Sequence, residues 1–308
     1  MYHIIALVVI LIFAIILGSR KHPNIEHFIQ QANVVLPKSK IAIACLMRKP
    51  IDLPEWLKHH RDMGIAKFYI RLEDSPTFGD YLDMQPDVSY ISSESDKEGN
   101  NYETLQTRQS EYVNKCLQDA GSEGIDWIFH IDADELLHGD LSFLDDLDAK
   151  YKCIKIQNAE AIFEEGQDSC FAAKRFLKCH AGAPCKSYVN GKAAGRVHQG
   201  VFLNGPHAFA YDGSGSNGDT GGSSSSSNGD YTYDVPFEKL HLLHYDACTF
   251  GSWAEKYIHL AKTDKKKDIP FTYYKDSIDA VEKAYKIYKE YKMPTSDSID
   301  ANMLYSLE

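Results

Sequence analysis

The 308-residue sequence predicts an α/β fold with a mostly parallel central sheet, preceded by an amino-terminal transmembrane helix. Three observations predict it. Trp127, Ile128, Phe129 and Ile131 form a nearly continuous apolar run, as in a strand covered on both faces, and it leads straight into Asp132, Asp134 and Glu135. Residues 41–72 read as strand, helix, strand at a spacing that requires a right-handed crossover and parallel pairing. Residues 4–17 are an uncharged apolar run, flanked by Tyr2 and by Arg20, Lys21 and His22.

In chain order, residues 1–19 are expected to be an uncleaved membrane anchor, since no Lys or Arg precedes the apolar run and no A-x-A-like site follows it. Residues 20–38 form a polar stem. The folded domain, residues 39–292, begins with a small-residue strand at 41–46. Asp52 and Pro54 then open a helix through Trp56, Leu57 and His60, and Gly64 ends it. Residues 65–72 are the next strand, ending at Glu73-Asp74-Ser75-Pro76. Tyr102, Leu105, Gln109, Tyr112, Val113 and Cys116 recur at helical spacing, and this helix delivers the chain to the acidic strand. A strand at 151–157 follows. Residues 212–230 are rich in Gly, Ser and Asn, and this insertion reads as a disordered surface loop. Order resumes in a strand at 237–246, then a helix with Trp253, Tyr257 and Leu260, and a last amphipathic helix with Ile278, Val281, Tyr285 and Tyr288. Residues 293–308 form a tail.

The net charge of -11 argues against a nucleic-acid partner, because such binding depends on Lys and Arg neutralising phosphate. The seven cysteines show no CxxC pattern. Cys45 and Cys153 fall in strands and are expected to be buried, whereas Cys170, Cys179 and Cys185 lie close enough in sequence to supply one disulfide.

The acidic strand end carries the chemistry. Side chains alternate along an extended chain, so Asp132 and Asp134 point to one side and can reach one hard cation, at the strand end where open α/β sheets bind ligands. The competing structural reading makes Asp132 a turn residue and Asp134 the cap of a following helix. His244 is the candidate third ligand, with His241 of equal claim three residues earlier. Carboxylates crowded without a cation would repel, so neutralising either is expected to raise stability.

Several separated motifs agree in order: Leu53-Pro54-Glu55-Trp56-Leu57, the segment Gly64-Ile65-Ala66-Lys67-Phe68-Tyr69-Ile70, Ile131-Asp132-Ala133-Asp134-Glu135-Leu136, and His244-Tyr245 followed by Trp253 and Lys256. Over residues 40–260 the chain resembles the GT-A-fold glycosyltransferases of the family 2 and family 92 kind. The resemblance implies a Rossmann-like nucleotide-diphospho-sugar transferase fold and transfer from a nucleotide-sugar donor, most often a UDP-sugar, to a glycan or glycoprotein hydroxyl with inversion. It also implies Mn2+ or Mg2+ on the diphosphate, held here by Asp132, Asp134 and His244. Arg48, Glu55, Asp74, Gln106 and Asp132 are the candidate donor-binding residues. Lys186, Lys192 and Arg196 are candidates for phosphate or acceptor, and Glu164, Glu165, Asp168 and Asp246 lie in segments suited to the base that inversion requires, with the Glu164/Glu165 pair favoured. No base motif common to family 2 is present. The anchor would make this a single-pass endomembrane protein of the ER or Golgi type, although the basic residues after the anchor favour a cytoplasmic domain. A metal-dependent phosphodiesterase using the same acids, or a non-catalytic carbohydrate-binding protein that keeps the fold, are the alternatives.

Overall fold

A computed structural model describes residues 36–93, 104–162, 169–180, 185, 187–213, 231–248, 250–261 and 272–292. The anchor at 4–17, most of the stem, Glu164, Glu165, Asp168, Lys186, residues 214–230 of the insertion and the tail lie outside the described residues. The membrane localisation is corrected: among the described residues no helix is long and apolar enough to cross a membrane.

In chain order the elements are β1 (Ile41–Arg48), α1 (Leu53–Asp62), β2 (Ile65–Glu73), α2 (Gly79–Asp83), β3 (Val88–Ser93), α3 (Leu105–Glu123), β4 (Trp127–His130), β5 (Glu135–Gly139), β6 (Cys153–Ile156), β7 (Asn158–Ile162), β8 (Arg175–Lys178), β9 (Lys192–Arg196), β10 (Val201–Leu203), β11 (Phe209–Tyr211), β12 (Thr232–Asp234), β13 (Leu240–His244), α4 (Phe250–Ala261) and α5 (Thr272–Lys292). The central sheet has the order β12-β6-β9-β4-β1-β2-β3. β1 runs parallel to β2 and to β4, and β2 parallel to β3, as the α/β reading requires. The exception is β9, antiparallel to both β4 and β6. From β1 the chain moves outward through β2 and β3 and returns on the other side as β4, so the strand order reverses between β1 and β4, and a crevice opens at their carboxyl ends. A smaller sheet, β5-β13-β7-β8, stands beside that crevice.

The alternation along β1 explains why the sheet is covered on both faces. Ile41, Ile43, Cys45 and Met47 pack with Trp56 and Leu57 of α1, while Ala42 and Ala44 meet Tyr112, Val113 and Cys116 of α3. Asp52 caps α1 as expected, its Oδ1 accepting from the Glu55 amide at 3.1 Å. The last helix forms, but Tyr285 is exposed rather than part of its buried stripe, which carries Ile278 and Val281.

α3 ends at Gly124, whose φ of 69° is the left-handed conformation that closes the helix, with its N–H donating to Ala120 O. A Cβ there would meet nothing within 4 Å, so only the backbone penalty applies. Gly124→Ala should therefore cost about 1 kcal/mol in urea unfolding, and Gly124→Asn less; equal stability of the Ala variant would contradict this.

His60 ties α1 to the smaller sheet. Its Nδ1 donates to Trp56 O at 2.8 Å and its Nε2 accepts from Leu137 N at 3.2 Å, an arrangement that needs the neutral ring. Burial, reinforced by His59, holds its pKa well below the usual range. Because the folded state favours the neutral form, this contribution is complete above about pH 6.5 and is lost as pH falls below it. Unfolding midpoints should decline between pH 7 and pH 5, and His60→Gln should flatten part of that decline. An unchanged slope in the variant would count against the assignment.

Candidate active site

The Asp132-Ala133-Asp134 segment follows β4 at the crevice, and both aspartates are partly open to solvent. A strand, β5, comes next rather than a helix, which removes the helix-cap explanation of Asp134. The two carboxylates have different partners.

Asp132 is not bare. Its Oδ1 accepts from Gln109 Nε2 of α3 at 3.1 Å, and its Oδ2 from Lys192 Nζ at 2.5 Å. Lys192 is wholly buried and stands 3.6 Å from Glu135 Oε2 as well. That same Glu135 oxygen accepts from the Asp132 amide at 2.6 Å, and the other accepts from the Tyr188 hydroxyl. Burial works against an ionised Asp132, but Lys192 outweighs it and holds the carboxyl below the usual range. Burial lowers the affinity of Lys192 for its proton, and the two carboxylates more than restore it. Burial raises the Glu135 carboxyl, and Lys192 opposes the rise. The expectation that neutralising either aspartate would raise stability is corrected for Asp132, whose charge is already compensated by an ammonium.

Asp134 faces His244 instead. Asp134 Oδ2 and His244 Nε2 are 3.7 Å apart, and the Asp134 carbonyl accepts from the Tyr245 amide at 2.8 Å, which stitches the loop after β4 to the end of β13. The far ring nitrogen of His244 lies 3.0 Å from Ser187 Oγ. Burial disfavours charge on His244, but Asp134 overcomes it and the pKa is raised to about 9. Burial is likewise outweighed at Asp134, which is held well below the usual carboxylate range by His244. His241, of equal claim in the sequence, turns the other way: it bonds Phe237 O at 2.8 Å and stacks on the Phe237 ring.

Asp134 and His244 could hold a divalent ion such as Mg2+ or Mn2+ only if it displaced the His244 proton and drew the two atoms from 3.7 Å towards the roughly 3 Å of ligands at right angles, with Ser187 Oγ accepting from Nδ1–H. The ligand atoms of Asp132, Asp134 and His244 do not all lie within 4.8 Å of one another, so the three do not converge as one ligand set. Among the described residues the one His/Cys/Asp/Glu trio with ligand atoms mutually within 4.8 Å is Glu160, Cys179 and Cys185, and its two cysteines form a disulfide. That disulfide lies within the trio named from the sequence. Cys170 pairs instead with Cys248, which pins the chain just after His244 and Asp246.

Of the remaining candidates, Arg48 and Asp74 meet in an ion pair at the adjacent carboxyl ends of β1 and β2, beside the crevice. Asp74 has a φ of 48°, a left-handed turn conformation. Glu55 and Gln106 do not come to the group: both are exposed, Glu55 in the first turn of α1, and it is Gln109, three positions beyond Gln106, that reaches Asp132. Arg196 is also placed elsewhere. β9 pairs antiparallel with β4, so Lys192 lies at the crevice end while Arg196 lies opposite Trp127 at the far end. There it donates to Tyr151 O and Leu147 O and covers the Trp127 ring. Gly191, at φ 65°, lets the chain pass Ile156 O where a Cβ would sit 1.9 Å away, and so sets where Lys192 enters.

Sequence reasoning did not place Gln109, Tyr188 or Ser187 at the site, and it named Asp246 only among the candidate bases. Asp246 is paired with Lys256, whose Nζ also bonds the Tyr274 hydroxyl at 3.0 Å, joining α4 and α5 to the end of β13. The motif Tyr188-x-x-x-Lys192 is the one signal that could have tied Tyr188 to a candidate already named, but it has no meaning until β9 is known to turn back onto β4.

No family model and no curated protein matches the chain. Among solved structures, HddC from Yersinia pseudotuberculosis is similar over 44% of this chain and 68% of its own at 10% identity, with a TM-score of 0.27. A CMP:2-keto-3-deoxy-manno-octonic acid synthetase complexed with CTP is similar over 52% of this chain and 75% of its own at 14% identity, also with a TM-score of 0.27. Similarity of that extent carries nothing about substrate or chemistry.

Proposed function

We propose that the chain is a metal-dependent glycosyltransferase that moves a sugar from a nucleotide-sugar donor, a UDP-sugar, to a hydroxyl of a glycan or glycoprotein with inversion. The observation that carries the reading is the convergence of Asp134 and His244, 3.7 Å apart, at the carboxyl end of β4 where the strand order reverses. Asp134 and His244 would hold Mg2+ or Mn2+, which supplies Lewis-acid stabilisation of the charge that develops on the departing diphosphate. Arg48 and Asp74 line the donor's nucleoside end of the crevice. Lys192 offsets one of the two carboxylate charges of Asp132 and Glu135, which lessens the repulsion that the donor's phosphates would meet on approach. Ser187 orients the His244 ring. The acceptor proton passes to a carboxylate, for which Glu164 and Glu165, just past β7, are the residues of the right kind.

The test is a screen of nucleotide sugars for Mn2+-dependent donor hydrolysis by the full chain. Release of nucleoside diphosphate that stops on chelation and returns with Mn2+ is the expected result. No metal-dependent release from any donor would overturn the reading.

A further inference from the structure

Phe250 opens α4 with 82% of its surface exposed, the most of any large apolar residue among those described. Its ring lies over the indole of Trp253, with centroids 5.6 Å and planes 20° apart. The indole is fixed from behind. Its Nε1 donates to Ser277 Oγ of α5 at 3.2 Å, and it packs on Tyr257, which is fully buried against Tyr273 and Tyr274. Phe250, Trp253 and Tyr257 follow one helix face. α5 covers that face at Tyr257, partly at Trp253, and leaves Phe250 open.

The same helix reaches the candidate active site. Lys256 is held by Asp246, two residues past His244, and Glu255 pairs with Lys49 at the end of β1. Lys256 is six positions after Phe250, about 9 Å along the helix axis. α4 therefore carries the aromatic pair at its start and its contacts with the candidate active site less than two turns later.

We propose that Phe250 and Trp253 form an acceptor subsite that seats a pyranose ring, which deepens and rests on the transferase reading above. The C–H bonds on one face of a pyranose are weakly positive and match the negative face of an aromatic ring, while the ring's hydroxyls stay at its rim in water. A flat exposed ring stacked on a fixed indole suits that contact. A protein partner is a poorer fit. A stable interface needs roughly 800 Å² per partner, and besides Phe250 the exposed large apolar residue of α4 is Ile258, about two turns further on.

The experiment is saturation-transfer NMR of the full chain with lactose, maltose, mannobiose and N,N′-diacetylchitobiose as probes, for the wild type, Phe250→Ala and Phe250→Tyr. At least one sugar should take up saturation on its ring C–H protons. Its affinity should fall about five- to tenfold in Phe250→Ala, the size of one aromatic contact, and recover in Phe250→Tyr. No saturation of any probe, equal affinity in Phe250→Ala, or a change of oligomeric state in that variant by light scattering would overturn the subsite. Donor hydrolysis by the wild type is read separately, so failure of the transferase reading is distinguished from failure of the platform.

Discussion

Asp134→Asn is expected to lower metal-dependent donor turnover about a thousandfold, the rate equivalent of the several kcal/mol that a Lewis acid contributes to a departing diphosphate. Asparagine keeps the shape of the side chain but not the charge that attracts a divalent ion, and the Asp134 carbonyl that accepts from Tyr245 is untouched. Folding should therefore change little, by about 1 kcal/mol, because a partly exposed ion pair is screened. His244→Gln should weaken metal activation in the same direction with a smaller loss. The comparison to make is turnover against Mn2+ concentration: wild-type turnover in Asp134→Asn at ordinary metal levels would remove Asp134 as a ligand.

Lys192→Met is expected to act on stability, by about 3–5 kcal/mol, because it leaves buried charge without its counter-ion. Glu135 is wholly buried and Asp132 partly so, and Lys192 is the cation between them. Adding Glu135→Gln to Lys192→Met should restore part of the loss, since the second change removes one of the stranded carboxylates. Urea unfolding of the two single variants and the double variant measures this coupling. A loss below about 1 kcal/mol in Lys192→Met would mean that the network is more hydrated than its burial implies.

The contrast between the two aspartates shows how much of the molecule could be read from the chain. β1, α1, β2 and β4 were legible because each is written locally: a buried run, a cap at Asp52, a stop at Gly64 and a strand ending in acids. His241 and His244 had equal claim in the sequence, and of the two it is His244 that faces Asp134 while His241 bonds Phe237. What was not legible is non-local pairing. Nothing in residues 192–196 announces that they run antiparallel to β4, yet that direction sends Lys192 to the crevice and Arg196 away from it. Cys170 finds Cys248 for the same reason, through a contact made only when β13 docks beside β7. Glu55 and Gln106 stood as donor-binding candidates through the resemblance alone. Helix rotation put both in solvent and brought Gln109 inward.

Mn2+ binding in the presence of UDP, followed by the loss of the free-ion signal in electron paramagnetic resonance, tests the Asp134–His244 metal site most directly. The wild type should take up Mn2+, Asp134→Asn should lose most of that uptake, and Gln109→Leu, which touches only Asp132, should keep it. Uptake in Asp134→Asn equal to that of the wild type, or none in the wild type itself, would contradict the account.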